Sequence, residues 1–209
     1  MSTSLRCKGP SKSREKILTA ATSLFAARGF KGTTTRMIAD HARVNEALIY
    51  RYFPNKEGLY AAIIEKKIEK LAPLLDRLRH AAETNESAER VLHEIAGAMF
   101  ASVEADPQFL RLFYFSGLEG HELSRMFFEA YIETFNRHLG SYILSKSREG
   151  VFRSIDPTLA ARAFVGIVVH YQVIQTLFPE AERIRNREEA INTFVDIFLH
   201  GVLVRPSAS

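Results

Sequence analysis

The chain has 209 residues, of which 46% are hydrophobic and 25% are charged, and its net charge is only +4. A chain of this length and composition can bury a substantial core, which excludes a largely disordered protein. Its single cysteine, Cys7, excludes an intrachain disulfide scaffold. The first 14 residues lack an apolar run, and the longest uncharged run holds 17 residues, against about 20 for a membrane-spanning helix. We therefore expect a cytoplasmic protein with no membrane segment.

The positive charge is concentrated at the start of the chain. Residues 1–56 hold eleven Lys or Arg side chains and three acidic ones, a net charge of +8, and the remainder carries a net charge of −4. Such an asymmetry is expected when one segment faces a polyanion such as nucleic acid. A solvated basic leader on an ordinary domain gives the same pattern, so charge alone leaves both interpretations open.

Periodicity and capping residues predict three helices in the first 56 residues. Ser11 or Ser13 is the predicted N-cap of the first helix, and Gly29 ends it. Asn45 is the predicted N-cap of the third. We place the second and third helices at 35–42 and 46–52.

Longer helices are predicted in the rest of the chain. Asn55 can cap a helix that bends at Pro73. Asp-Pro pairs at 106–107 and 156–157 favour helix starts, because Asp caps and proline is tolerated at the first helical position. No segment has a convincing strand period, so we predict an all-α fold of about nine helices. The later helices are predicted at 56–82, 87–105, 107–115, 119–147, 158–178 and 187–204.

The second and third helices have the pattern of a helix-turn-helix. Ala39 is small enough for two helices to cross closely, residues 41–44 form the turn, and Val44 and Ile49 close a small core. The second helix of such a unit can lie in the major groove, where each base pair presents a distinct pattern of donors and acceptors. The alternative is two packing helices with solvated charges, but exposed tyrosines at 50 and 52 would be costly unless something covers them.

One motif is similar to a known family. Residues 49–59 are I-Y-R-Y-F-P-N-K-E-G-L, preceded by Gly29-Phe30 and Ile38-Ala39. This stretch resembles the N-terminal signature of the TetR-type transcriptional regulators (the TetR/AcrR family), and the resemblance covers residues 11–60. It implies a homodimer of all-α subunits, each with a three-helix DNA-binding head and a helical body that binds a small molecule. The predicted divisions are a disordered leader at 1–10, a helix-turn-helix domain at 11–56 and a ligand-binding and dimerisation domain at 57–205.

The resemblance also implies roles for residues of the head. Arg36 and residues 46–48 become candidates for reading bases, with Tyr50 at a phosphate or a thymine methyl group. Arg43 departs from the family, in which many members have Gly, and a left-handed backbone there would cost about 1 kcal/mol. Donors are scarce on the recognition surface, because Glu46 and Leu48 replace residues that are often hydrogen-bond donors in the family. The DNA-binding candidates are Thr33, Thr35, Arg36, Asn45, Glu46, Ala47, Leu48, Tyr50, Arg51, Tyr52 and Lys56.

Aromatic and methionine side chains concentrate in the middle of the chain, on more than one face of their predicted helices. Each of these side chains can be an ordinary core residue, but together they occupy more helix faces than a single core requires. Large apolar walls with a few polar groups suit a cavity for a small hydrophobic or aromatic effector. The candidates for this site are Met99, Phe100, Phe113, Tyr114, Met126, Phe127, Tyr131, His170 and Tyr171.

The last two helices are the candidates for dimerisation. The resemblance implies that two such helices from each subunit form a four-helix interface, and the alternative is packing within one subunit. The apolar stripes are Val165, Val169, Val173 and Leu177 on one helix and Phe194, Phe198 and Val202 on the other.

Enzymatic interpretations find little support in the sequence. His121-Glu122 begins like a zinc-protease motif, but Arg125 stands where the second histidine is required. We therefore predict no enzyme, cofactor or metal site. The expected function is a repressor that leaves its near-palindromic, double-stranded operator DNA when a hydrophobic molecule binds the body. The alternative is a helical small-molecule binding protein without specific DNA binding.

Overall fold

The computed structural model describes residues 12–178, 180 and 186–203, and these hold helices and no β-strand. The prediction of an all-α fold is confirmed. The predicted leader at 1–10, the candidate cap Ser11 and the end of the last predicted helix at 204 lie outside the described residues. The helices are α1 Lys12–Arg28, α2 Thr35–Ala42, α3 Glu46–Tyr52, α4 Lys56–Glu69, α5 Ala72–Glu83, α6 Ala88–Glu104, α7 Pro107–Leu118, α8 Glu122–Phe127, a π-helical segment Phe128–Glu133, α9 Thr134–Arg148, α10 Pro157–Leu177 and α11 Arg187–Val202.

Side-chain caps fix the starts of the short helices. The Thr34 hydroxyl accepts a hydrogen bond from Met37 N at 3.2 Å, and the Asn45 amide oxygen accepts one from Ala47 N at 2.8 Å. These bonds satisfy backbone donors that have no partner within the helix. The second and third helices therefore have the predicted bounds, and Ser13 lies inside α1 rather than before it.

Two long helices predicted from periodicity are divided in the structure. The helix expected at 56–82 is α4 and α5, because Pro73 occupies the first turn of a new helix instead of bending a continuous one. The helix expected at 119–147 begins three residues later and passes through the π-helical segment. By these bounds the described residues contain eleven α-helices, and the two divided segments account for the difference from the expected count of about nine. Apolar spacing continues across such breaks, so periodicity alone does not locate them.

Two apolar cores hold the molecule together. The first contains Phe25, Ile38 and Ile49 of the short helices, but it also contains Tyr60 of α4 and Leu112 of α7. The packing is therefore continuous across the boundary predicted between residues 56 and 57. The second core lies in the body and includes Leu92, Ile95, Tyr142, Phe164 and Phe198.

Helix α10 is the most apolar helix of the described chain. Its length and composition alone would allow it to cross a bilayer. Core helices of soluble proteins meet the same criterion, and α10 packs against α6, α7, α9 and α11. Only about a third of its most apolar window is buried, so one face of α10 is available for another surface.

The stripes predicted for dimerisation mostly face the subunit's own interior. Val173, Phe198 and Val202 are buried, and Phe194 packs on Tyr171 with the ring centroids 5.5 Å apart. Val165 and Val169 are half-buried, and of the predicted residues only Leu177 is exposed. Spacing identifies an apolar stripe but not the surface that it packs against. The exposed small or apolar positions of these helices are Leu159, Ala163, Gly166 and Leu177 of α10 and Ile197 and Gly201 of α11.

Candidate nucleic-acid interface and interior cavity

A tight turn joins α2 to α3. Arg43 has φ 56° and ψ 49°, which is the left-handed conformation, and the N–H of Val44 donates to Ala39 O at 3.0 Å. Ala39 and Ile49 are buried beside this turn. The turn therefore keeps the geometry expected of a glycine, although an arginine occupies it.

Replacing Arg43 by glycine is expected to stabilise the fold by about 1 kcal/mol, because glycine adopts this backbone conformation without strain. Urea denaturation of the two proteins measures the difference. Arg43→Ala is the control, since it removes the charge but keeps a β-carbon at positive φ. An equal gain in stability in both variants would mean that strain is not the cause.

A hydrogen-bonded chain of side chains links the start of α2 to α3. The Thr35 hydroxyl donates to Glu46 Oε1 at 2.6 Å, and the Tyr50 hydroxyl lies 3.1 Å from Thr35 Oγ1. With the Thr35 proton directed at the carboxylate, Tyr50 is the donor in the second bond. The three predicted contact residues therefore form one positioned group. The carboxylate of Glu46, which offers no hydrogen-bond donor to DNA, accepts from Thr35 and so orients the hydroxyls beside it.

The outer face of α3 is otherwise open to solvent. Arg36, Asn45, Ala47 and Arg51 are exposed, and the side chain of Tyr50 is 53% exposed. The guanidinium of Arg51 lies 5.5 Å from the centre of the Tyr52 ring. Leu48 and Tyr52 are half-buried and pack against the first core. The short helix thus presents a polar and aromatic surface while its inner side anchors it.

Two predicted phosphate contacts have internal roles. The Thr33 side chain is fully buried and donates to Gly29 O at 2.9 Å, so the expectation of a side-chain contact to phosphate was wrong. The Lys56 ammonium donates to Phe30 O at 2.8 Å and to Thr33 O at 2.9 Å and lies over the Phe30 ring. Both residues hold the loop between α1 and α2, whose carbonyl groups need donors. The sequence shows their polarity but not these carbonyl partners.

The body encloses a cavity of about 470 Å³ with largely apolar walls. Six of the nine predicted residues line it: Met99, Phe113, Tyr114, Phe127, Tyr131 and His170. The expectation was wrong for Phe100, Met126 and Tyr171. Phe100 is buried in the second core against Tyr171, and Met126 is 48% exposed on the outside of α8.

The π-helical segment forms part of the cavity wall. It supplies Phe128, Tyr131 and Ile132 to the lining. The Tyr131 ring stacks on Phe127 with the centroids 4.8 Å apart, and burial raises the pKa of its hydroxyl. Segments of this kind occur frequently at functional sites.

Polar groups in the lining occupy separate parts of the wall. The side-chain oxygens of Asn136 and Gln172 are buried, and neither has a hydrogen-bond partner among the described residues. Elsewhere in the wall, Lys67 Nζ lies 3.2 Å from Asp106 Oδ2. This pair was not predicted from the sequence, in which Asp106 was identified only as a helix cap. A lysine within the apolar stripe of α4 is the signal that could have indicated it.

Helix α7 connects the cavity to the head. Phe109 and Phe113 line the cavity, whereas Ser116, one to two turns later, bonds to the buried Tyr60 hydroxyl at 2.6 Å. At the end of the helix, Glu119 Oε2 accepts from Phe30 N at 3.4 Å. A displacement of α7 in the cavity wall would therefore reach the head directly.

No cluster of three or more His, Cys, Asp or Glu side chains suited to a metal ion occurs in the parts of the chain described here.

Comparison with known proteins finds a family whose models match both the head and the body of this chain. A family model described as "Bacterial regulatory proteins, tetR family" matches residues 17–63, and one described as "AefR-like transcriptional repressor, C-terminal domain" matches residues 90–201. The uncharacterised HTH-type transcriptional regulator YhgD of Bacillus subtilis is 30% identical over 71% of this chain and 76% of its own.

Solved structures of the same fold include a putative fatty acid metabolism regulator of Clostridium perfringens, with a TM-score of 0.75 and 20% identity over 91% of this chain and 100% of that one. SmeT, the Stenotrophomonas maltophilia efflux-pump repressor, in complex with triclosan has a TM-score of 0.69 and 20% identity over 95% of this chain and 97% of that one. At these identities the likeness shows the fold alone. The two family models and the relationship to YhgD show that the chain belongs to the tetR family of bacterial regulatory proteins.

Proposed function

We propose that this regulator is a cytoplasmic homodimer that represses transcription by occupying a near-palindromic operator and leaves it when a small hydrophobic molecule fills the cavity. The observation that carries the proposal is the direct packing of the cavity wall, helix α7, on the helix-turn-helix head. A sensor cavity and a DNA-binding surface that share one rigid element can influence each other.

The recognition surface supports binding in the major groove. The exposed face of α3 is backed by buried Ile49, and Tyr50, Thr35 and Glu46 are held in one hydrogen-bonded chain. Preorganised side chains lose less conformational freedom when they contact DNA. Arg36 and Arg51 beside them supply positive charge for base edges or phosphates.

The coupling follows from the position of α7. A ligand that displaces Phe109 and Phe113 would move Ser116 and Glu119, which contact Tyr60 and Phe30 of the head's core. This route complements α4, the helix that connects head and body. The ligand then lowers DNA affinity by its differential affinity for the two states, and bound DNA weakens ligand binding by the same factor.

Dimerisation would place two heads on successive major-groove faces about 34–36 Å apart. We assign the interface to the exposed side of α10 and α11, where Ala163 and Gly201 permit close approach and Leu177 and Ile197 supply apolar area. These positions lie on two helices that pack against each other.

Relatives support a regulator rather than an enzyme. YhgD and other curated relatives are described as transcriptional regulators. The complex of SmeT with triclosan shows that a protein of this fold can hold a hydrophobic molecule, and the cavity described here has apolar walls and a size suited to one.

The proposal is tested by gel shift of the purified protein on the DNA upstream of its own gene, at several salt concentrations. We expect a specific complex that survives excess unrelated DNA and weakens as salt rises, because phosphate contacts release counterions. Equal retention of unrelated DNA would favour the alternative, a small-molecule binding protein whose head, with Glu46 and Leu48 in place of donors, has no operator.

A further inference from the structure

One buried cation interrupts the apolar wall of the cavity. The side chain of Lys67 is 10% exposed, and its ammonium lies 4.6 Å from the centre of the Phe109 ring. The other cationic side chain in the lining, Arg162, is exposed and paired with Glu133 at 3.2 Å. Lys67 is thus the cation placed to meet a molecule inside the cavity.

Lys67 lies where the cavity adjoins a second, basic groove. This groove has a volume of about 870 Å³, and Lys67 and Asp106 belong to the lining of both spaces. Five Lys or Arg side chains and two acidic ones line it, an excess of three positive charges. The charged side chains of the groove are Lys16, Arg43, Lys66, Lys67, Lys70, Glu15 and Asp106. An apolar space and a cationic space therefore meet at one ammonium group.

The carboxylate of Asp106, which pairs with Lys67, also caps helix α7. Asp106 Oδ1 caps α7 by accepting from Phe109 N at 3.1 Å, and Oδ2 lies against the Lys67 ammonium. An ammonium has three donors, so Lys67 can bind this carboxylate and an acidic ligand group together. Burial also lowers the pKa of Lys67, which means that its charged form gains from a further anionic partner.

We propose that the effector is an amphipathic anion whose apolar tail fills the cavity and whose acidic head group binds Lys67 at the junction with the basic groove. Asp106 weakens this binding by repulsion, so it sets the affinity as well as capping α7. The inference rests on the proposed function only where it calls the molecule an effector, because the binding itself needs no DNA.

The first test compares two probe molecules that share an apolar tail and differ in their polar head group. Dodecanoate and 1-dodecanol are each equilibrated by dialysis with the full chain at pH 7.5, below their solubility limits and without DNA. We expect dodecanoate to bind at least about tenfold more tightly, as a charge-assisted hydrogen bond in a buried site provides. Equal or tighter binding of the alcohol, or binding of neither probe, overturns the proposal.

Two variants then separate recognition of the ligand's acidic group from general damage to the fold. Lys67→Met keeps an unbranched side chain, one atom shorter and without charge, and is expected to remove the preference for dodecanoate. Asp106→Asn keeps a capping oxygen but removes the repulsion, so dodecanoate should bind several-fold more tightly and dodecanol equally well. A purely structural pair would give no gain, and failure of Asp106→Asn to raise affinity for the anion contradicts the assigned role of Asp106. Lys31→Met, an exposed lysine that lines neither space, is the control and should change nothing.

A gel shift distinguishes this inference from the proposed function. If dodecanoate binds through Lys67 but does not release the upstream DNA, the inference about the site stands and ligand-induced release is wrong. If DNA binding is specific and the protein prefers dodecanol, the regulator is confirmed and the anionic head group is wrong.

Discussion

Replacing Tyr50 by alanine is expected to lower operator affinity by at least about thirtyfold, because a lost base contact costs about 1–3 kcal/mol and a symmetric dimer loses it twice. The side chain is 53% exposed, and its hydroxyl bonds across to Thr35 rather than into the core. The thermal unfolding temperature should therefore hardly change. Fluorescence anisotropy with the upstream DNA measures the affinity.

Tyr50→Phe is the matched control for this substitution. It keeps the ring and removes the hydroxyl, so it separates apolar contact with a thymine methyl group from a hydrogen bond. Retention of operator affinity in Tyr50→Ala would show that α3 does not present this face to DNA.

Replacing Gly29 by alanine is expected to destabilise the junction between head and body. Gly29 has φ +70°, and a β-carbon there would lie 2.6 Å from Phe115 Cε1 and 2.8 Å from Glu119 Oε1. The backbone strain costs about 1 kcal/mol, and the overlap adds the cost of displacing the Phe115 ring and the Glu119 carboxylate from the end of α7. Urea denaturation measures the loss, and ligand-induced DNA release should weaken because α7 is pushed from the head.

Gly150→Ala measures the loss of stability that comes from backbone strain alone. Gly150 has φ +76°, but a β-carbon there has no neighbour within 4 Å among the described atoms. This variant should lose only the strain and keep its response to ligand. Equal losses of stability in the two variants would contradict a close contact at Gly29.

Local sequence signals predicted the features that are fixed by residues close together in the chain, such as the starts of the short helices. The hydroxyl of Thr34 and the amide of Asn45 cap α2 and α3, and the start of each helix follows from bonds within three residues. The turn at residues 41–44 followed from the helix-turn-helix pattern, and the possibility of a left-handed backbone at Arg43 came from the family resemblance. The motif at 49–59 then indicated the family.

Contacts between residues that are distant in the chain determined the features that local signals did not predict. Thr33 and Lys56 look like surface contacts until the carbonyl groups of Gly29 and Phe30 come to lie beside them. The apolar stripe at Val173 and Phe198 could face a partner or the core, and packing places it in the core.

The sequence by itself therefore determined the all-α class, the bounds of α2 and α3 and the concentration of positive charge in residues 1–56, since caps, periodicity and composition can be read from local sequence. Only the tertiary structure decided which aromatic residues enclose the cavity, which stripe faces outward, and that Lys67 meets Asp106 at the cavity wall. Those features depend on contacts between helices that are far apart along the chain, and a local pattern does not specify which faces meet.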